Sequence, residues 1–121
     1  MVNTNRQPLS ARKLDAYRVG VELLSYMRPF LERFAKDDRE LASQMKRSLP
    51  SIVKNLSEAM RRTGADRAHL LTVALGSADE VRSGIDIALA YGLMQPEQAR
   101  QAEHLADRFC AMTFRLRQRL A

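Results

Sequence analysis

The residues able to do chemistry in this chain are few. His69 and His104 are its two imidazoles and Cys110 its single thiol. Neither histidine stands at a metal-ligand spacing from a second histidine or from the cysteine, so a zinc site has no starting set. Glu103 and His104 are adjacent, not spaced as the Glu-x-x-His pair that di-iron bundles project from each of two helices. The chain has no G-x-S-x-G, no Gly-rich phosphate loop and no H-E-x-x-H, which leaves nucleophilic, nucleotide and metalloprotease chemistry without a constellation. Cys110 follows the apolar Phe109 and reads as a small core or flank residue and not as a nucleophile. The expectation is a protein that is not an enzyme and that needs no cofactor or metal.

Cationic charge is plentiful by contrast. Lys and Arg total 20 against 14 Asp and Glu, a net charge of +6, and such an excess favours a polyanionic partner. The excess is local. Residues 39–62 hold Arg39, Lys46, Arg47, Lys54, Arg61 and Arg62 against Glu40 and Glu58, whereas residues 63–95 hold Arg67 and Arg82 against Asp66, Asp79, Glu80 and Asp86. Phosphate neutralisation needs only clustered Lys and Arg. Lys46, Arg47, Lys54, Arg61 and Arg62 are therefore the candidate contacts to nucleic acid or another partner, with Arg115, Arg117 and Arg119 as a second cluster. The competing reading is that these charges are solvated or pair within one bundle. With 3 Tyr, 4 Phe and 0 Trp, several of them on apolar stripes, no base-stacking platform is evident. A helix-turn-helix across Gly64 lacks a signature, and the flanking helices are longer than that motif uses.

The elements that must position these residues read as helices. At 121 residues, 45% hydrophobic and 28% charged, the chain fits one globular domain. No stretch approaches the ~20 apolar residues of a membrane span, and MVNTNRQPLSARK lacks the apolar block of a secretory signal. The expectation is a cytoplasmic location without membrane contact. Residues 1–9 are polar and aperiodic and read as a flexible terminus, with the bundle domain spanning 10–121. The first helix is expected to start near Ser10, with Leu14, Tyr17, Val21, Leu24, Leu31 and Phe34 on its apolar face and a kink or break at Pro29. Asp37 and Asp38 suit the start of the second, which runs from about residue 38 to 62 with Leu41, Met45, Leu49, Ile52, Leu56 and Ala59 inward and Pro50 within it.

Gly64 supplies a stop and Asp66 a cap for the third helix, which carries Leu70, Ala74, Ala78, Val81, Ile85 and Ala88 and ends at Gly92. Pro96 and Glu97 suit the first turn of the fourth, which carries Ala102, Leu105, Phe109, Met112, Leu116 and Leu120. Short connections favour antiparallel neighbours, so the fold expected is an all-α, up-down four-helix bundle. The third helix is rich in small residues, among them Gly76, Ser77, Ser83 and Gly84. They either pack tightly inside the bundle or form a subunit interface.

The middle of the chain resembles a known family. Residues 44–58, QMKRSLPSIVKNLSE, then ALGSADE at 74–80 and ALAYGL at 88–93, are similar to the four-helix-bundle proteins encoded in ribosomal-RNA intervening sequences. That group is related to the accessory variability proteins of diversity-generating retroelements. The resemblance covers about residues 12 to 120. By position it assigns family-motif roles to Gln44, Arg47, Ser51, Ile52, Asn55 and Glu58 on the second helix and to Gly76, Ser77 and Glu80 on the third. The chain departs from the pattern at Pro50, Ala59 and Leu75. The resemblance implies a homo-oligomer, with homopentameric rings and a head-to-tail interface. It also implies, through the retroelement relatives, RNA or DNA and a reverse transcriptase as partners. The polar motif residues are expected to satisfy one another in a half-buried network, because burying them unpaired is costly. The function expected is a helical module that binds nucleic acid or a nucleic-acid-processing protein through its basic surface. The alternative is a structural or protein-interaction scaffold with no nucleic-acid role.

Overall fold

The computed structural model describes residues 14–120, so the segment 1–9 lies outside the described residues. Four helices follow in order, α1 (Asp15–Asp37), α2 (Arg39–Ala59), α3 (Gly64–Ala90) and α4 (Pro96–Leu120), with no strand among the described residues. Each packs on its neighbour in sequence, and α4 closes against α1. This is the all-α four-helix bundle that the apolar periodicities predict. It puts α2 and α4 at opposite corners, as it does α1 and α3.

The connections follow from local chemistry. Asp38 alone joins α1 to α2. Its carboxylate accepts from the amides of Glu40 and Leu41, both at 3.1 Å, while its own amide donates to the Phe34 carbonyl at 2.7 Å. One residue thereby closes one helix and caps the next. At the start of α4, Pro96 takes the first position, and the preceding Gln95 amide donates to Gln98 Oε1 at 2.9 Å. Gly92 turns the chain after α3 with φ +74°, a conformation that side chains disfavour.

Several boundaries differ from the periodicity. Leu14 is extended, at φ −82° and ψ 137°, and α1 runs from Asp15, while the start expected near Ser10 lies outside the described residues. Helix α2 stops at Ala59, because the amides of Arg61 and Arg62 turn back to Glu58 and Ala59 in a tightened last turn. Arg61 and Arg62 therefore sit on the connection and not on α2. Helix α3 starts at Gly64, whose φ is +57°, after an extended Thr63, so Asp66 lies in its first turn and is not its cap. Helix α1 does not break at Pro29. Pro29 and Ser25 are both exposed, so water can satisfy the carbonyl that loses its amide partner.

The core confirms three apolar stripes and rotates the fourth. All six inward positions named for α2 are buried, as are Ala74, Ala78, Val81, Ile85 and Ala88 on α3, and Phe34 and Phe109 are fully enclosed. On α1 the buried face is Ala16, Val19, Gly20, Leu23, Met27, Leu31 and Phe34, while Val21 is 39% exposed and Leu14, Tyr17 and Leu24 are half-buried. The pivot is Gly20. A Cβ there would stand 2.9 Å from Val53 Cγ1 and 3.3 Å from Phe109 Cδ1, so the small residue admits larger partners from α2 and α4.

Candidate functional site

Helix α2 divides along its length into an apolar inner face, a polar edge against α3, and a cationic outer face. The polar edge arises because Ser48, Ser51 and Asn55 recur at helical spacing beside the core stripe. Ser51 Oγ and Ser77 Oγ share a 2.7 Å hydrogen bond across the α2–α3 seam. Asn55 Nδ2 donates to Ser51 Oγ and to the Ser51 carbonyl, both at 2.9 Å, and Ser48 Oγ donates to Glu80 Oε1 at 3.2 Å. Ser48 and Ser77 are buried, at 5% and 6% exposure. Of the motif positions, then, Ser51, Asn55 and Ser77 meet in hydrogen bonds, while Glu80 bonds to Ser48. Ser48 belongs with them but carries no sequence signal, since a serine beside a leucine is unremarkable in any helix.

The remaining motif positions do other work. Glu58 lies outside the network and accepts from Arg62 Nε and Nη2 through one oxygen, at 2.9 and 2.7 Å. Gln44 is half-buried and has no side-chain hydrogen bond among the described residues. Gly76 is exposed, and a Cβ added to it would meet nothing within 4 Å. Gly84, on the same helix, is the opposite case: its Cβ would run into Met45 Sδ and come within 3.2 Å of Met45 Cε. The small residues of α3 thus split, with Ala74, Ser77, Ala78, Gly84 and Ala88 packed inside the bundle and Gly76 and Ser83 facing out.

The cationic face centres on Lys46 and Arg47, which are exposed and more than four residues from Glu40 and Glu58, the acids of their own helix. Arg47 Nη1 donates to Ser43 Oγ at 2.7 Å, a neutral partner that steers the guanidinium without cancelling its charge. Shallow depressions meet at this pair. One of about 540 Å³ is lined by Lys46, Arg47, Pro50, Ser51, Lys54, Asn55 and Glu58. A second, of about 170 Å³, opens over the polar edge between Gln44, Arg47, Ser48, Ser51, Ser77 and Glu80. Lys46, Arg47, Lys54 and Arg61 make no ion pair among the described residues, whereas Arg62 is held by Glu58. The larger depression of about 610 Å³ lies elsewhere, between the start of α1 and the end of α4. Its lining mixes Leu14, Met112 and Leu116 with Arg115, Arg119 and one acid, Asp15, and has no nucleophile.

His69 and His104 are both exposed, one on α3 and the other on α4, and no group of three metal-binding side chains occurs among the described residues. Cys110 is half-buried near Arg82, which bridges α3 to α4 by pairing with Asp79 at 2.9 Å and Asp107 at 2.7 Å. Burial pushes the Cys110 thiol up against the pull of Arg82, and Asp79 and Asp107 add to the rise. The thiolate that a nucleophile needs is thereby disfavoured. No helix among the described residues is long and apolar enough to cross a membrane.

The chemistry on offer is thus hydrogen bonding and cationic attraction, carried by a helix face next to a small polar cleft. A comparison with curated proteins finds no match. The sequence pattern of the 23S rRNA-intervening sequence proteins, however, matches residues 12–115, which include all four helices except the last turn of α4. With Ser51, Asn55, Ser77 and Glu80 along one seam of a four-helix bundle, the chain belongs to the 23S rRNA-intervening sequence protein family.

Proposed function

We propose that the chain is a non-enzymatic, homo-oligomeric module that binds RNA, or a protein that processes nucleic acid, through the outer face of α2 and the connection that follows it. The observation that carries this reading is that Lys46, Arg47, Lys54 and Arg61 are exposed together with no carboxylate partner among the described residues. Unneutralised cations on one face release counterions from a polyanion, a gain that unpaired surface charges do not find inside the monomer. The description of the family, which ties it to 23S rRNA, gives RNA precedence over DNA. The cytoplasm is the compartment that this reading requires.

The test is fluorescence anisotropy with mixed-sequence RNA and DNA strands at 50 and 200 mM salt. Four phosphate contacts to a single strand weaken binding about 50-fold across that range, from a slope of about −0.7 per phosphate. Reversal of Lys46, Arg47, Lys54 and Arg61 to Glu is expected to lower RNA affinity by tenfold or more and to flatten the salt response. Unchanged affinity in that variant would sink the reading.

One observation bears on the oligomer itself, with or without nucleic acid. Gly76 costs helix stability, about 1 kcal/mol relative to Ala, yet nothing within the chain approaches it. A second subunit at that point would account for it, in the pentameric ring that the family resemblance implies. Light scattering of wild-type protein and of Gly76→Leu decides: a lower mass for the variant, at retained helicity, supports assembly through α3.

A further inference from the structure

Helix α4 carries a second line of cations, which only the helical projection reveals. At 100° per residue, Arg100, His104, Arg108, Arg115 and Arg119 fall within a sector of about 100° and extend roughly 28 Å along the axis. All five are exposed. The other residues on that sector are Gln101, Ala111 and Gln118, so after Glu97 in the first turn it contains no acid. Of the two other acids on α4, Asp107 is occupied by Arg82, and Glu103 points to the flank that faces α3. The four arginines make no ion pair among the described residues.

Arg117, by contrast, leaves the line: Nη1 donates to Thr72 Oγ1 on α3 at 3.0 Å, and its guanidinium lies 5.1 Å from the Phe114 ring centroid. The run Arg115, Arg117, Arg119 therefore does not act as one cluster. Two of its members extend the row begun at Arg100. Like charges at i and i+4, as at Arg115 and Arg119, oppose helix formation. A row that is exposed, unpaired and internally repulsive is stabilised by an outside anion of matching length.

From this geometry we infer that α4 is a second binding face for an RNA phosphate backbone, independent of the one on α2. Because α2 and α4 occupy opposite corners of the bundle, the molecule holds two RNA segments on opposite sides and works as a bridge between them. An extended strand is the occupant that fits, since the cations follow a line and not a pocket. The bridge rests on the α2 reading; the α4 face does not.

The experiment uses the full chain and a mixed-sequence 20-nucleotide RNA, with stoichiometry read by calorimetry and affinity by anisotropy. Wild type is expected to take two strands per chain. Arg100→Glu with Arg108→Glu and Arg115→Glu is expected to take one and to lose a salt slope of about 0.7 per phosphate contact removed. The α2 variant with Lys46, Arg47 and Lys54 reversed is expected to keep one salt-sensitive strand, which adding the α4 reversals abolishes. If the α2 variant binds like wild type while the α4 variant fails, the α2 reading falls and the α4 face stands. If the α4 variant keeps wild-type stoichiometry and salt slope, the α4 face is wrong. Binding of wild type to anionic phosphatidylserine vesicles, with no RNA bound, also overturns it. Should the Glu set lose helicity by circular dichroism, Gln at the same three positions serves, with the same expected drop in stoichiometry.

Discussion

Helix α3 is held on its two sides by different physics. Toward α2 it meets a neutral seam, in which Gly84 lets Met45 lie flat against the backbone and the hydroxyls of Ser51 and Ser77 bond across the gap. Toward α4 it meets an ionic clamp, Arg82 between Asp79 and Asp107, with side-chain exposures of 31%, 69% and 59%. Close packing is sensitive to single atoms, whereas partly exposed ion pairs are worth little. The α2–α3 seam should therefore be the rigid one, and it is the seam that carries the family motif residues.

The largest effect is expected where a side chain invades that seam. Gly84→Val forces three carbons into the space of Met45, a fully buried residue, and overpacking of this kind costs about 1–3 kcal/mol. Urea denaturation should show a loss within that range, partly offset because Val forms helices better than Gly. A double-mutant cycle with Met45→Ala sharpens the claim: the two changes should be less costly together than their sum. Strict additivity would mean that Gly84 does not owe its place to Met45.

The polar part of the same seam should respond less. Ser77→Ala removes one bond to Ser51, whose hydroxyl keeps the Asn55 donor, so the expected loss is about 1 kcal/mol. Hydrogen exchange should locate it, with faster opening around Ser51 and little change in α4. A uniform effect across all four helices would erase the contrast between the seams.

How far these features were legible in the sequence depends on the size of the residues involved. Large apolar residues at helical spacing gave away α2 and α4, since a face of Leu, Ile, Met and Phe has no other place to go, whereas the α3 stripe was read from Val81 and Ile85 among alanines. The α1 face was read correctly at Leu31 and Phe34 and misread by about one position before them, because its inward residues there include Ala16 and Gly20, whose contribution is to make room. Lys46, Arg47 and Lys54 could be found by charge alone. Arg61 and Arg62 could be found too, but not their place on a turn, because the helix end depends on backbone bonds that side-chain type does not report. The α4 row escaped notice since Arg115, Arg117 and Arg119 are neighbours in sequence, while the relevant neighbours of Arg115 are a full turn away.

The ionic clamp gives the smallest expected effect and the most specific one. Asp107→Asn leaves Arg82 paired with Asp79, so the stability loss should stay below about 1 kcal/mol and shrink further at high salt. The same change has a second readout in Cys110. Asp107 is one of the carboxylates that raise this thiol, although burial is the main cause. Removing it lowers the thiol from its elevated value without returning it to normal, so alkylation by iodoacetamide at pH 8 should quicken modestly while remaining slower than in the urea-unfolded chain. The linkage has a definite sign. A thiol raised on folding contributes stability that is present below its unfolded pKa and lost as pH rises through the folded one, and this alkaline loss should be smaller in Asp107→Asn. Faster alkylation with unchanged stability would show that the clamp governs the local field more than the packing of α3 on α4. An equal rate in both proteins would mean that burial alone sets the thiol and that the carboxylates are screened by water.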